Sequence, residues 1–60
     1  MEAHKAFIDT PDGSILIGYY DNLADVRYEF PSRLFDVYHK KDGFHVRRKT
    51  WAEIKREMQE

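Results

Sequence analysis

The chain has no cysteine, and its 60 residues include only two prolines and three glycines. Without cysteine, neither a disulfide nor a thiolate zinc site can form. The longest apolar run, ILIGYY at residues 15–20, is of strand length and far below the ~18 residues of a membrane-spanning helix. We therefore expect a cytoplasmic protein that does not enter a membrane.

Chain length limits the amount of buried surface. Sixty residues favour a single domain, 1–60. A chain of this size buries only about 60% of the surface that its unfolded form exposes. A homodimer would add buried surface, and self-association stays open. The core must otherwise come from aromatic residues, and the candidates are Phe7, Tyr19, Tyr20, Tyr28, Phe30, Phe35, Phe44 and Trp51.

The formal net charge of −1 conceals two oppositely charged regions. Residues 1–37 carry three basic and seven acidic side chains, whereas residues 38–49 carry five basic side chains and one acidic side chain. Charge separation of this kind bears on partners and association rather than on the fold. The sequence thus predicts at least one binding surface of a single sign.

Two Asp-Gly turn signals, TPDG at 10–13 and KKDG at 40–43, predict two β-hairpins. The first should pair HKAFIDT with SILIGYY, and the second should pair RLFDVYH with FHVRR. Between them, ADVRYEF at 24–30 alternates apolar and polar residues, which is typical of a half-buried strand. The sequence therefore predicts five short strands in up-and-down order.

The C-terminal segment predicts a helix. Thr50 and Glu53 have the spacing of a capping box. An apolar stripe follows at helical spacing, with Trp51 at its head, and the opposite face is polar. The stripe is Trp51, Ile54 and Met58, and the polar face is Glu53, Arg56, Glu57 and Glu60. The predicted fold is α+β and mostly β: a small, strongly bent antiparallel sheet closed by one C-terminal helix.

Catalytic motifs are missing from the sequence. Ser14 and Ser32 stand in turn contexts, and neither lies in a G-x-S-x-G motif. The three glycines do not have the spacing of a phosphate-binding loop. We therefore expect a protein that is not an enzyme and binds no cofactor.

A metal site is the next possibility. His39 and His45 flank the second turn, and a carboxylate such as Asp36 or Asp42 would complete a ligand set of the right chemical type. No spacing in the sequence matches a known metal motif. Surface histidines on a short hairpin are the expected interpretation, so we predict no metal site.

The first functional hypothesis uses the acidic region. It predicts a non-catalytic inhibitor or regulator that binds a protein partner with a basic surface. In size, independence and charge the chain resembles, in kind only, the phage-encoded inhibitors that block host nucleic-acid machinery, including anti-CRISPR proteins. That resemblance implies a phage origin and docking on a host nucleic-acid-handling complex. The predicted partner-binding residues are Tyr20, Asp21, Asp25, Glu29 and Asp36.

The alternative hypothesis is a small nucleic-acid-binding module that uses the basic hairpin, residues 38–51. Basic side chains would contact phosphates while aromatic side chains stack on bases. Strand alternation places Phe44 and Val46 in the core and leaves His45 and Arg47 exposed. A hairpin that is merely solvated is an equally open interpretation. The predicted phosphate-binding residues are Lys40, Lys41, Arg47, Arg48 and Lys49.

Overall fold

The computed structural model describes residues 3–59 of the chain. These residues form four strands and two helices, so the broad α+β class is confirmed. The elements are β1 (His4–Thr10), β2 (Gly13–Tyr20), α1 (Leu23–Glu29), β3 (Phe35–Lys40), β4 (Gly43–Arg48) and α2 (Trp51–Met58).

The sheet has the strand order β2-β1-β4-β3. Both predicted hairpins are confirmed, because β1 pairs antiparallel with β2 and β3 pairs antiparallel with β4. The up-and-down, all-antiparallel order is wrong, since the hairpins meet through a parallel pairing of β1 with β4. Turn signals fix only the pairing of strands that are neighbours in sequence. The parallel pairing instead follows apolar contact, with Ala6 beside Phe44 and Ile8 beside Val46.

The predicted strand at 24–30 is wrong, because this segment forms α1. The Asn22 side chain caps the helix by accepting a hydrogen bond from the Asp25 backbone N–H at 3.0 Å. Leu23, Val26 and Phe30 have helical spacing, and all three pack in or against the core. Tyr28, which alternation assigned to the buried face, is 88% exposed. The sheet therefore has four strands rather than five.

The core lies between α1 and one face of the sheet. Its fully buried residues are Ala6, Val26, Phe44 and Val46, with Tyr20, Leu23, Phe30, Phe35 and Val37 packed around them. Among the eight aromatics predicted for the core, Phe44 alone is fully buried, and Tyr19 and Trp51 are 60% and 70% exposed. The core is small because just one helix covers the sheet.

Helix α2 begins with the predicted capping box, which is confirmed by reciprocal hydrogen bonds between Thr50 and Glu53. None of its residues from Trp51 to Met58 is buried, so it does not close the sheet. The prediction of closure and of a core position for Trp51 is wrong, because α2 is attached through ion pairs and a half-buried Ile54, whereas Trp51 is exposed. Glu60, predicted for the polar face, lies outside the described residues. Across residues 3–59 no helix has the length and apolar character needed to cross a membrane.

Gly43 allows the β3–β4 turn to lie against β1. Its φ is +134°, a backbone conformation that L side chains rarely adopt. A Cβ atom at this position would collide with the backbone carbonyl of Lys5. The first residues of β1 and the β3–β4 turn are therefore held side by side at one end of the sheet.

Candidate functional site

The exposed side of α1 carries most of the predicted acidic site. Asp25 and Glu29 lie four positions apart, so they share one face of the helix, and Asp21 directly precedes the N-cap. All three are exposed, and Tyr28 projects beside them. Burial of Val26 on the opposite side fixes the orientation of the helix. We call Asp21, Asp25, Tyr28 and Glu29 the acidic helix surface.

Tyr28 is a residue that sequence reasoning missed. The alternation of residues 24–30 placed it with the core, whereas the helix turns it outward. The signal that could have revealed the helix is Asn22 followed three positions later by Asp25, the same arrangement as Thr50 and Glu53 at the start of α2.

Two of the predicted partner-binding residues, Tyr20 and Asp36, do not lie on the acidic helix surface. The Tyr20 hydroxyl donates a hydrogen bond to Glu29 Oε2 at 2.7 Å, and this bond together with burial raises the pKa of Tyr20. Tyr20 therefore supports Glu29 from the core side. Asp36 lies on β3, at the sheet edge opposite β2, and pairs with Arg47. The structure brings Asp21, Asp25 and Glu29 together and separates Asp36 from them.

Two of the five predicted phosphate-binding residues, Arg47 and Lys49, form ion pairs with acidic residues of the same chain. The Arg47 guanidinium contacts Glu53 at 3.0 Å and also pairs with Asp36. The pairing raises the pKa of Arg47 and lowers the pKa of Glu53 to about 2. Lys49 Nζ lies 2.7 Å from Glu57, and its side chain is only 9% exposed. These two cations therefore attach α2 to the sheet.

The remaining basic residues separate into two places. Lys40 and Lys41 line an open groove of about 520 Å³, whereas Arg48 lies at the other end of β4. The parallel pairing of β1 with β4 adds His4 and Lys5 to this groove, which the sequence did not predict because the pairing was missed. The His4 and His39 rings meet edge to face, with centroids 5.6 Å apart. We call His4, Lys5, His39, Lys40 and Lys41 the basic groove.

A buried histidine lies on the sheet face that α1 leaves uncovered. His45 is 5% exposed, so the prediction that it is exposed is wrong. Its Nδ1 lies 2.9 Å from Asp9 Oδ1 and its Nε2 lies 2.8 Å from Asp42 Oδ1. The Phe7 ring stacks on the imidazole at a centroid distance of 5.0 Å. Ser14 donates a hydrogen bond to Asp9 at 2.6 Å and completes the group, which we call the His45 cluster.

The His45 cluster has the arrangement of a structural ion pair. Hydrogen bonds to both carboxylates raise the pKa of His45 against the opposing effect of desolvation. The hydrogen bond from Ser14 and then the one to His45 lower the pKa of Asp9, and the hydrogen bond to His45 lowers the pKa of Asp42. Both ring nitrogens face carboxylates, and the Ser14 hydroxyl contacts Asp9 rather than the imidazole. The arrangement therefore does not form the nucleophile–base pair that acyl transfer requires. It joins β1, β2, β4 and the β3–β4 turn.

The two histidines considered as metal ligands point to opposite faces of the sheet. His39 lies opposite Phe44 and His45 lies opposite Tyr38 in the β3–β4 ladder, so consecutive pairs face opposite ways. Within residues 3–59, no group of three or more His, Asp or Glu side chains is arranged to hold a metal ion.

Comparison of the sequence with protein-family models and with curated proteins, and of the fold with solved structures, gives no match. The acidic helix surface and the basic groove are therefore the features of this chain whose geometry and charge point to a function.

Proposed function

We propose that this protein is a non-catalytic inhibitor or regulator that docks through the acidic helix surface on a basic surface of a protein partner. One observation carries the proposal. Helix α1 buries Val26 and presents Asp25, Glu29 and an 88%-exposed Tyr28 on its outer side. Arg27 is also exposed in the last turn of α1, so the charged neighbours of Tyr28 on the helix are two carboxylates and one guanidinium. A large aromatic side chain with a charged rim is a typical composition for an interface anchor.

The acidic helix surface is held in place before any partner binds. The hydrogen bond from Tyr20 fixes the Glu29 carboxylate, and the Asn22 cap fixes the first turn next to Asp25. Preorganised groups lose less conformational entropy on association, so more of the interaction energy becomes affinity. Complementary charge also accelerates the encounter with a basic partner.

The partner that best fits this surface is a protein groove that normally holds nucleic-acid phosphates. Such grooves are lined by lysine and arginine side chains. Carboxylates spaced along a rigid helix occupy the positions that phosphates would take. Docking on a host nucleic-acid-handling complex, with the protein encoded by a phage, is the specific form of the proposal.

The test compares charge reversals in capture experiments. Immobilised wild-type protein and the Asp25→Lys/Glu29→Lys variant are incubated with nuclease-treated bacterial lysate, and retained proteins are identified by mass spectrometry. Asp12→Lys is the control, because Asp12 is exposed in the β1–β2 turn away from α1. We expect proteins that are retained by wild type and control but lost by the double variant. Identical retention by all three would contradict the proposal.

A second candidate function is binding of single-stranded nucleic acid at the basic groove. It is favoured by the convergence of Lys5, Lys40 and Lys41 around one groove, which the rings of His4 and His39 also line beside the Asp42 carboxylate. Three phosphate contacts would give a slope of about −2 in log K against log salt.

Fluorescence anisotropy with a labelled oligothymidine checks the second candidate. Lys40→Glu/Lys41→Glu should abolish binding at low salt, whereas Arg48→Glu should bind like wild type, because Arg48 is outside the groove. Absence of binding by wild type at low salt would eliminate this candidate, and equal losses in both variants would move the site away from the groove.

A further inference from the structure

The outer edge of β2 lacks the charged side chains that usually protect an edge strand. β2 is the terminal strand of the sheet, and residues 13–20 contain neither a charged residue nor proline. Four large side chains on it are exposed: Ile15 by 57%, Leu16 by 47%, Ile17 by 37% and Tyr19 by 60%. Edge strands normally carry charges, prolines or covers that prevent pairing with another chain.

The two edges of the sheet differ. The outer strand β3 has Asp36 and Lys40 within it. β2 has no charge in residues 13–20, and its ladder with β1 is interrupted by one β-bulge at Ile17. The charges on β3 oppose strand pairing, so only the β2 edge is suited to accept another strand.

The molecule exposes more surface than a folded monomer of its mass should. Its accessible surface is 4911 Å², whereas about 4,100 Å² is expected for a monomer of this mass. The excess of about 800 Å² matches one side of a standard protein interface. The radius of gyration is 12.3 Å and the smallest dimension is 16 Å, against about 10.4 Å expected for the radius of gyration. The large accessible surface and the flat shape are those of a single sheet that can still bind another chain.

We propose that the partner of this edge is a second copy of the chain, paired antiparallel through β2. Full overlap of the eight-residue strand places Leu16 opposite Ile17 of the second copy and Ile15 opposite its Gly18. The bulge at Ile17 permits this register, because Ile15 pairs with Ile8 and Gly18 pairs with Ala6, so Ile15 and Gly18 share one face of the sheet. Each large side chain near the centre then meets an apolar or small residue. Because the strand is uncharged, two copies do not repel each other. The two-fold arrangement uses both β2 edges and leaves the charged β3 strands at the two ends of the sheet. The product is a continuous eight-stranded sheet.

The two-fold axis of an antiparallel strand pair is perpendicular to the sheet, so both copies present the same face to the same side. Both α1 helices then lie on one face of the eight-stranded sheet. If the proposed function is correct, the dimer carries two acidic helix surfaces side by side. The dimer itself does not depend on that function, since β2 pairing uses none of the residues of the acidic helix surface.

Sedimentation velocity over a range of protein concentrations tests the dimer. Wild type should be dimeric, and Leu16→Lys should raise the dimer dissociation constant at least about 100-fold, because the two lysines come close together across the two-fold axis. Two controls should remain dimeric. Tyr38→Lys changes an equally exposed side chain on the other edge strand, and Trp51→Lys changes the exposed stripe of α2. A monomeric wild type, or dissociation by a control but not by Leu16→Lys, would overturn the proposal.

Cross-linking keeps the proposal testable even if Leu16→Lys fails to fold. The chain has no cysteine, so single substitutions give unambiguous disulfides. An equal mixture of Leu16→Cys and Ile17→Cys should form mixed disulfide-linked dimers faster than Tyr38→Cys forms its own dimer. A rate no higher than that of Tyr38→Cys would show that the β2 strands do not meet.

Discussion

The two helices of this protein are attached to the same sheet by different forces. Helix α1, seven residues long, buries Val26 completely and turns its charges outward. Helix α2, eight residues long, leaves Trp51 and Met58 exposed and reaches the sheet through Glu53 and Glu57. Burial of apolar surface does not depend on charge screening, whereas partly exposed ion pairs are screened by salt and contribute less. We therefore predict that α1 belongs to the cooperative fold and that α2 opens independently of it.

The largest expected difference comes from shortening one apolar side chain in each helix. Val26→Ala should lower the free energy of unfolding by about 2 kcal/mol, because it removes two buried methyl groups and leaves a cavity. Ile54→Ala should lower it by about 1 kcal/mol or less, since Ile54 is only half-buried. Urea unfolding followed by far-UV circular dichroism measures both. Equal losses would show that α2 is part of the cooperative core.

The helix caps provide a matched pair of substitutions. Asn22→Ala removes the hydrogen bond to Asp25, and Thr50→Ala removes the one to Glu53. Loss of a cap costs about 1 kcal/mol. Asn22→Ala should therefore lower the free energy of unfolding of the whole domain by that amount. Thr50→Ala should reduce protection from amide hydrogen exchange only in residues 51–58. An unchanged urea midpoint for Asn22→Ala would contradict the assignment of α1 to the cooperative fold.

The His45 cluster should depend on pH, unlike the partly exposed ion pairs of α2. The pKa of His45 is raised in the folded protein, so the imidazolium stabilises the fold fully below its ordinary value of 6.5. This contribution is lost as pH rises through the raised value. Unfolding free energies measured from pH 5.5 to 9 should therefore fall with pH, and His45→Gln should flatten the profile. The same slope in His45→Gln would assign the pH dependence to other groups.

The smallest effect on global stability is expected at Arg47. Arg47→Gln removes the ion pairs with Asp36 and Glu53, so α2 should lose its exchange protection while the strands keep theirs. High salt should reproduce the effect in wild type. Arg48→Gln is the control, because Arg48 is an exposed neighbour whose side chain makes none of the ion pairs that hold α2. Loss of protection throughout the sheet would mean that the ion pairs support more than α2.

The features that the sequence predicted correctly are local. Asp-Gly turns specify their own hairpins, and Thr50 with Glu53 specifies the start of α2, because each signal acts across a few residues. The apolar residues of segment 24–30 fit two periodicities. Val26 and Phe30 are four positions apart, which agrees with both strand alternation and helical spacing. The Asn22 cap decides between them, and its signal resembles that of an ordinary turn.

Local sequence patterns could not predict the parallel pairing of β1 with β4, nor the composition of the basic groove. Lys5 and Lys40 come together only because β1 lies beside β4. Arg47 and Lys49 looked available for phosphates because their acidic partners, Asp36, Glu53 and Glu57, lie elsewhere in the chain. The partners lie 6, 8 and 11 positions away in different secondary-structure elements, a spacing that no helical or strand periodicity marks, so charge counts alone overestimated the free basic surface.

The parallel contact of β1 with β4 has a consequence for how fast the chain folds. Ala6 and Phe44 are 38 positions apart, whereas each hairpin closes over a short turn. Isolated hairpins form in about 1–10 μs, but joining distant segments requires an additional loss of chain entropy. The meeting of the two preformed hairpins should therefore be the rate-limiting step. Substitutions that weaken the contact of Ala6 with Phe44 should then slow folding. Substitutions in α2 should leave the folding rate unchanged.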